Sequence, residues 1–267
     1  MPFQLGFIGA GNMAGAIIRA AVDATVLSPD DIIAADPYQD QRDALAHLGI
    51  VTTDENHEAI QQASQIMLAV KPQMFPKVTD DLRAHLRDEQ IVISIMAGIR
   101  SDRLCEAVGR PVRVVRVMPN TPVQVGAGMA GVALGTDAQP GDDDLTMRLF
   151  SAAGRAIRVE ESAIDAVTAV SGSGPAYVFY LAEAMTRAAR ELGLGDEAPT
   201  FVRQTILGAA RLMEAQPDID PAELRRRVTS PGGTTAAAIG HMESKGMAQV
   251  IEAAVEAAHA RSIELGG

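Results

Sequence analysis

Short apolar runs, each stopped by a turn residue and separated by helix-spaced stretches, fill the first part of this chain. Phe3 to Gly9 is the first. Ile32 to Ala35 ends at Asp36-Pro37, and Ile66 to Val70 ends at Lys71-Pro72. Ile91 to Ile95 and Val112 to Val117 repeat the pattern. Helical spacing occupies the intervals, as in Met13 to Val22 and Pro76 to Leu86. Strand, helix and strand in repetition imply parallel strands joined by right-handed crossovers. Ile66-Met67-Leu68-Ala69-Val70 is apolar on both faces, as a strand must be when helices cover both sides of its sheet. Gly126 to Gly135 and Arg155 to Val159 read as further strands.

After Ser162 the pattern changes. Pro175 to Leu192, Ala198 to Ala215, Pro221 to Val228, Thr235 to Ser244 and Met247 to Leu265 all have helical spacing, and no strand is expected. Pro175 and Pro221 fall where a first-turn proline is tolerated. The expected boundary is near residue 160, between an α/β domain (1–160) and an all-α domain (161–267). A chain of 267 residues buries roughly three quarters of its unfolded surface. Aromatics are only 3% and Trp is absent, so small and aliphatic side chains must fill the core and allow close helix packing.

The net charge of −11 opposes nucleic-acid binding, which draws its affinity from Lys and Arg. The one basic run, Arg225-Arg226-Arg227, reads as a solvated helix end. Cys105 is the single cysteine, which rules out an intrachain disulfide and suits a reducing compartment. The chain starts directly into a strand, without a charged leader, and no apolar run nears the ~20 residues of a membrane span. A cytoplasmic protein is expected. His47, His57, His85, His241 and His259 show no close ligand spacing, so no metal is expected.

Gly9-Ala10-Gly11-Asn12-Met13-Ala14 follows a strand and opens a helix. The first glycine permits the tight turn, and the second lets a pyrophosphate approach the backbone. Ala14 in the third place still allows close helix packing. This is the dinucleotide fingerprint of a Rossmann-like domain. Asp36, ending the second strand, can accept hydrogen bonds from both ribose hydroxyls of NAD, and it would repel a 2′-phosphate. Arg42 is the only nearby cation that could offset that repulsion. Ligands of such sheets bind outside the carboxyl ends of the strands. Lys71 is therefore placed toward cofactor or substrate, and Ile95 to Gly98 and Met118 to Pro122 lie on the same rim.

At the other end of the chain, Ser230-Pro231-Gly232-Gly233-Thr234-Thr235 precedes an alanine-rich helix. Gly232 and Gly233 clear the approach to free helix N–H groups, and Thr234 and Thr235 add hydroxyls. That is a seat for a small carboxylate, beyond what a plain cap requires. Ser171-Gly172-Ser173-Gly174-Pro175 reads as the cap and entry turn of the long helix behind it.

With these motifs in place, the chain resembles pyrroline-5-carboxylate reductase. The resemblance is carried by Phe7 to Met13, Ala69 to Pro72, Arg116 to Pro122, Ala169 to Tyr177 and Thr229 to Thr235, in family order over nearly the whole length. It implies a helical domain that interlocks with that of a second chain, dimers that assemble into a decamer, and an active site drawing on both chains. It also implies cofactor contacts at Gly9, Ala10, Gly11, Asn12, Met13, Asp36, Asn56, Ala69, Val70, Lys71, Pro72, Ile95, Met96 and Ala97. Substrate contacts are implied at Ser230, Gly232, Gly233, Thr234 and Thr235, with Thr235 hydrogen-bonding the ring nitrogen as the catalytic residue. Many family members carry Ser or another uncharged residue at the end of the second strand and use NADPH. Asp36 instead leans toward NADH.

The implied reaction is hydride transfer from NADH or NADPH to the cyclic imine 1-pyrroline-5-carboxylate, giving L-proline. A protonated imine is already electrophilic, so the site must orient more than activate. A 3-hydroxyacid dehydrogenase of similar plan would need a Lys on the long helix, and Pro175 to Leu192 has none. A nucleotide-sensing protein without turnover would have no use for the Ser230 to Thr235 loop.

Overall fold

In the computed structural model, which describes residues 2–266, the strands join one eight-stranded sheet. In chain order the first part holds β1 (Phe3–Ile8), α1 (Asn12–Asp23), β2 (Ile32–Ala35), α2 (Gln39–Ala46), β3 (Val51–Thr53), α3 (Asn56–Gln62) and β4 (Ala63–Leu68). Then come α4 (Phe75–His85), β5 (Ile91–Ser94), α5 (Ser101–Val108), β6 (Arg113–Pro119), β7 (Gly128–Leu134), α6 (Asp144–Ala152), β8 (Gly154–Arg158) and α7 (Ile164–Val167). The strand order is β3-β2-β1-β4-β5-β6-β7-β8. The order reverses between β1 and β4, which pair in parallel from Phe3↔Ala63 to Ile8↔Leu68. A doubly wound sheet opens its ligand crevice at that switch point.

Alternating side chains divide the core into two layers. Leu5, Phe7, Ile32 and Ala34 face α1 and α6, where Ile17, Ile18, Leu149 and Phe150 are buried. Ile8, Ile33, Ile66 and Leu68 face the other layer, with Ile60 of α3, Leu82 of α4 and Leu104 of α5. Each fully buried Leu, Ile or Phe contributes roughly 1.5–3 kcal/mol relative to exposure.

Two features depart from the sequence pattern. β3 has only three residues and forms the sheet edge, with Val51 exposed; it is too short for periodicity to announce it. β7 runs antiparallel to β6, from Val115↔Leu134 to Pro119↔Ala130. The connection between them is a 3-10 turn over Thr121–Val125, far shorter than the dozen or so residues a parallel crossover needs. β8 returns to parallel pairing with β7 after α6.

By packing, Met1–Ser173 and Ala258–Gly267 form one unit and Gly174–Ala257 a second. The first unit thus keeps α7 and a π-turn over Thr168–Gly172. It also holds the end of the last helix, where Ser262 Oγ donates to Asp165 Oδ1 at 2.6 Å and Leu265 lies against Gly98.

The second unit is helical: α8 (Gly174–Ala189), α9 (Ala198–Ala215), α10 (Pro221–Arg227), α11 (Thr234–Ser244) and most of α12 (Met247–Gly266). The long helix predicted to Leu192 passes at Arg190 into a π-turn that breaks at Gly193 (φ +97°). α8 carries no buried residue, and Phe179, Tyr180, Phe201 and Val250 are all more than half exposed. The basic run is a solvated helix end: Arg226 and Arg227 donate to Glu223, and Arg225 to Glu243.

Candidate active site

The carboxyl ends of β1, β4, β5 and β6 surround a cavity of about 490 Å³. One wall is the β1–α1 turn. Gly9 has φ +96°, and a β-carbon there would come within 2.7 Å of the Ala69 carbonyl oxygen, so only glycine fits. Gly9 N–H donates to Ala35 O at 2.8 Å, tying the turn to β2. Gly11 is the N-cap of α1 and has no side-chain cap; a β-carbon on it would enter open space. The amides of Asn12, Met13 and Ala14 precede the first intrahelical bond, from Gly15 N to Gly11 O. An uncapped helix start with cleared space in front of it fits a pyrophosphate.

Asp36 is buried, at 7% exposure. Its Oδ2 accepts from Ala10 N at 2.8 Å and its Oδ1 from Tyr38 N at 2.9 Å. Each oxygen keeps a further lone pair for a ribose hydroxyl. Arg42 Nη1 donates to the Asp36 carbonyl at 2.7 Å, and its Nη2 bonds Gln39. The Arg42 guanidinium is therefore held by neutral acceptors beside the carboxylate.

Ala69, Val70 and Lys71 line the cavity after β4, and Ile95 lines it after β5. Pro72 begins the 3-10 turn that leads into α4. Met96 is buried beneath this rim and Ala97 is part-buried beside it. Asn56 opens α3 and donates to Asp81 Oδ2 at 2.7 Å, away from the residues that line the cavity. Thus Gly11 to Met13, Ala69 to Lys71 and Ile95 come together around one space. Gly9, Ala10, Asp36 and Asn56 are not among its lining residues; Asp36 bonds Ala10, the residue before Gly11.

The opposite wall holds Met118, Pro119, Asn120, Thr121 and Gly172. The sequence places the first four on this rim, but it gives no role to Asn120, and Gly172 reads only as part of a helix-entry turn. Nothing in the local pattern shows that the π-turn folds back onto β6.

The Ser230 to Thr235 loop belongs to the second packing unit. Gly232 has φ +73°, and a β-carbon on Gly233 would strike Ser230 Oγ at 2.5 Å. Gly233 caps α11 without a side-chain hydrogen bond. The amides of Thr234, Thr235 and Ala236 precede the first helical bond, from Ala237 N to Gly233 O. These amides at the start of α11 are left without an intrahelical acceptor, as at any uncapped helix N-terminus.

A larger hollow of about 630 Å³ lies against β7 and β8, but its cation, Arg158, is bonded to Asp143 and Asp144. His57 and His85 meet with ring centroids 5.4 Å apart, and among the described residues no group of three side chains could hold a metal. Among those residues, too, no helix is long and apolar enough to cross a membrane.

Residues 161–265 match the family model for pyrroline-5-carboxylate reductase dimerisation, and residues 4–98 match one described as NADP oxidoreductase, coenzyme F420-dependent. A pyrroline-5-carboxylate reductase of Pseudomonas aeruginosa is 43% identical over 265 residues, covering 98% of this chain and 96% of that one. The structure of a pyrroline-5-carboxylate reductase from Coxiella burnetii superposes with a TM-score of 0.90 at 35% identity, over the full length of both chains. That of a Plasmodium falciparum pyrroline carboxylate reductase with NADP bound gives 0.87 at 28% identity, over 99% and 98% of the two chains. At 43% identity over nearly its whole length, and with its helical part matched by the family's dimerisation model, the chain belongs to the pyrroline-5-carboxylate reductase family.

Proposed function

We propose that this protein reduces 1-pyrroline-5-carboxylate to L-proline with a nicotinamide cofactor. The observation that carries this reading is the cavity at the β1/β4 switch point, walled by the glycine loop on one side and Met118 to Thr121 on the other. The bound nicotinamide supplies the hydride. In this reading Gly9 to Met13 take the pyrophosphate, and Ala69 to Pro72 and Ile95 to Ala97 form the floor beneath the nicotinamide half. Asn56 adds a contact from the start of α3.

Ser230, Gly232, Gly233 and Thr234 hold the substrate carboxylate at the N-terminus of α11. Thr235 accepts or donates a hydrogen bond at the ring nitrogen and relays its proton. Orientation of the two reacting carbons, held about 3–3.5 Å apart, supplies most of the acceleration. Asp36 favours NADH, because its carboxylate stands where a 2′-phosphate would bring a second negative charge, and Arg42 is already bonded to neutral acceptors.

Residues 1–160 serve as the dinucleotide-binding domain and 161–267 as the substrate-binding and dimerisation domain. Two chains pair through the exposed apolar helices of the second domain, and dimers assemble further into a decamer. The reaction takes place in the cytoplasm.

The test is oxidation of NADH and NADPH, in parallel, with pyrroline-5-carboxylate added. Turnover with NADH exceeding that with NADPH is expected. Better turnover with NADPH removes the role given to Asp36, and no turnover with either overturns the reading.

A further inference from the structure

The wall opposite the glycine loop is built from two segments distant in sequence. Met118 to Thr121 end β6, and Gly172 belongs to the π-turn over Thr168–Gly172. The side chain of Asn120 joins them. Its Oδ1 accepts from Met129 N at 2.9 Å, and its Nδ2 donates to both Ser171 O and Ser171 Oγ at 3.2 Å. Asn120 is only 9% exposed, so these bonds form largely out of water.

The donor and acceptor pattern is strict. Met129 N–H demands an oxygen, and the Ser171 carbonyl demands a donor. Asp lacks the donor, Leu lacks both groups, and the amide in its other orientation would set donor against donor. Met118 packs on the same turn: a β-carbon on Gly172 would collide with Met118 Cε. The turn itself is held by Ser173 N to Thr168 O at 2.9 Å and by Thr168 Oγ1 to Ile164 O at 2.8 Å. Single π-turns within helices frequently fall at functional sites.

We propose that Asn120 is a positioning residue for hydride transfer. By tying the β6 rim to the Ser171–Gly172 turn it fixes the cavity wall that faces the glycine loop, and so fixes how closely the substrate ring is held to the cofactor. It acts through that wall and makes no chemical step itself. The inference rests on the proposed reduction, because it needs a hydride acceptor in this cavity. A misplacement of about 1 Å in such a geometry reduces the rate by about a hundredfold.

Asn120→Asp tests it. The variant keeps the acceptor for Met129 N but sets a carboxylate oxygen against the Ser171 carbonyl. The expected result is a kcat about 10- to 100-fold lower, with a larger isotope effect from the 4-deuterated cofactor and a cofactor Kd within about threefold of the parent. Faster amide hydrogen exchange through residues 168–173, with Met129 still protected, is expected whether or not the enzyme turns over this imine. Ser171→Ala, which removes one of the two acceptors, is the second variant, with kcat expected about two- to threefold lower and the isotope effect moving the same way. Unchanged exchange in the turn overturns the proposal. So does an unchanged kcat and isotope effect in a parent enzyme that does reduce pyrroline-5-carboxylate. Absence of parental turnover strikes the proposed reaction instead, and the exchange result then decides the strut.

Discussion

Asp36 Oδ2 accepts the Ala10 N–H at 2.8 Å, so the carboxylate that follows β2 and the turn that fits a pyrophosphate are one hydrogen-bonded unit. Asp36 therefore orients the glycine loop, in addition to the ribose contact proposed for it. Asp36→Ser removes the charge and replaces the two oxygens that accept from Ala10 and Tyr38 with a single, shorter, neutral hydroxyl. Loss of a hydrogen bond to a charged group is worth about 1.5–3 kcal/mol, or about 10- to 100-fold. The expected outcome is a kcat/KM with NADH lower by about that factor, while the NADPH-to-NADH ratio rises. Steady-state kinetics with both cofactors measure it, and an unchanged ratio counts against any discrimination by Asp36.

Thr235 is the second residue of α11, and its amide precedes the helix's first hydrogen bond. Thr235→Ala keeps the backbone at the start of α11 and removes the hydroxyl together with the γ-methyl. A positioned proton-transfer group contributes typically about 10²–10⁴-fold. The expected kcat is lower by at least about a hundredfold, with an unchanged circular dichroism spectrum. Near-parental turnover removes Thr235 from the mechanism.

Gly98 has φ +75°, and a β-carbon on it would lie 3.1 Å from the Leu265 carbonyl. Gly98→Ala meets a backbone strain of about 1–3 kcal/mol together with a contact that helix α12 must relieve. Denaturant unfolding should show a loss of that size. Because Gly98 follows directly on Ile95 to Ala97, a weaker cofactor Kd is expected as well. A stability equal to the parent's would show that the end of α12 yields without cost.

Glu223 accepts from Arg226 and Arg227 at the end of α10, and these two bonds hold its carboxyl down to about 2. A depressed carboxylate stabilises the fold above its unfolded value, and that contribution fades as pH falls toward the folded value. The difference in denaturant midpoint between parent and Glu223→Gln should thus persist above pH 4.5 and close between 4.5 and about 2. The pair is solvent-exposed and the effect small, so it should also shrink in high salt. A difference that grows on acidification would contradict the assignment.

The strands that build the rim were legible because burial on both faces forces continuous apolar runs, as in Ile66-Met67-Leu68. Gly9 and Gly11 were legible because the phosphate turn admits few residue types. Val51–Thr53 was not, since three residues at an exposed edge carry no period. The direction of β7 follows from the length of a connection, which apolar patterning does not report. Asn120 was the least visible of the wall residues. Its partners lie nine and fifty-one positions away, and a buried polar strut is defined by where the chain folds back.

The helices of the second unit leave Phe179, Tyr180, Phe201 and Val250 largely in water, at 58–71% exposure. A chain alone gains little from folding such a surface; most of the gain comes when another chain covers it. For this unit folding and association are then coupled, and its resistance to heat depends on concentration. Each tenfold dilution removes about 1.4 kcal/mol per dimer from that balance. A cell that makes little of this protein holds, in effect, a less stable one.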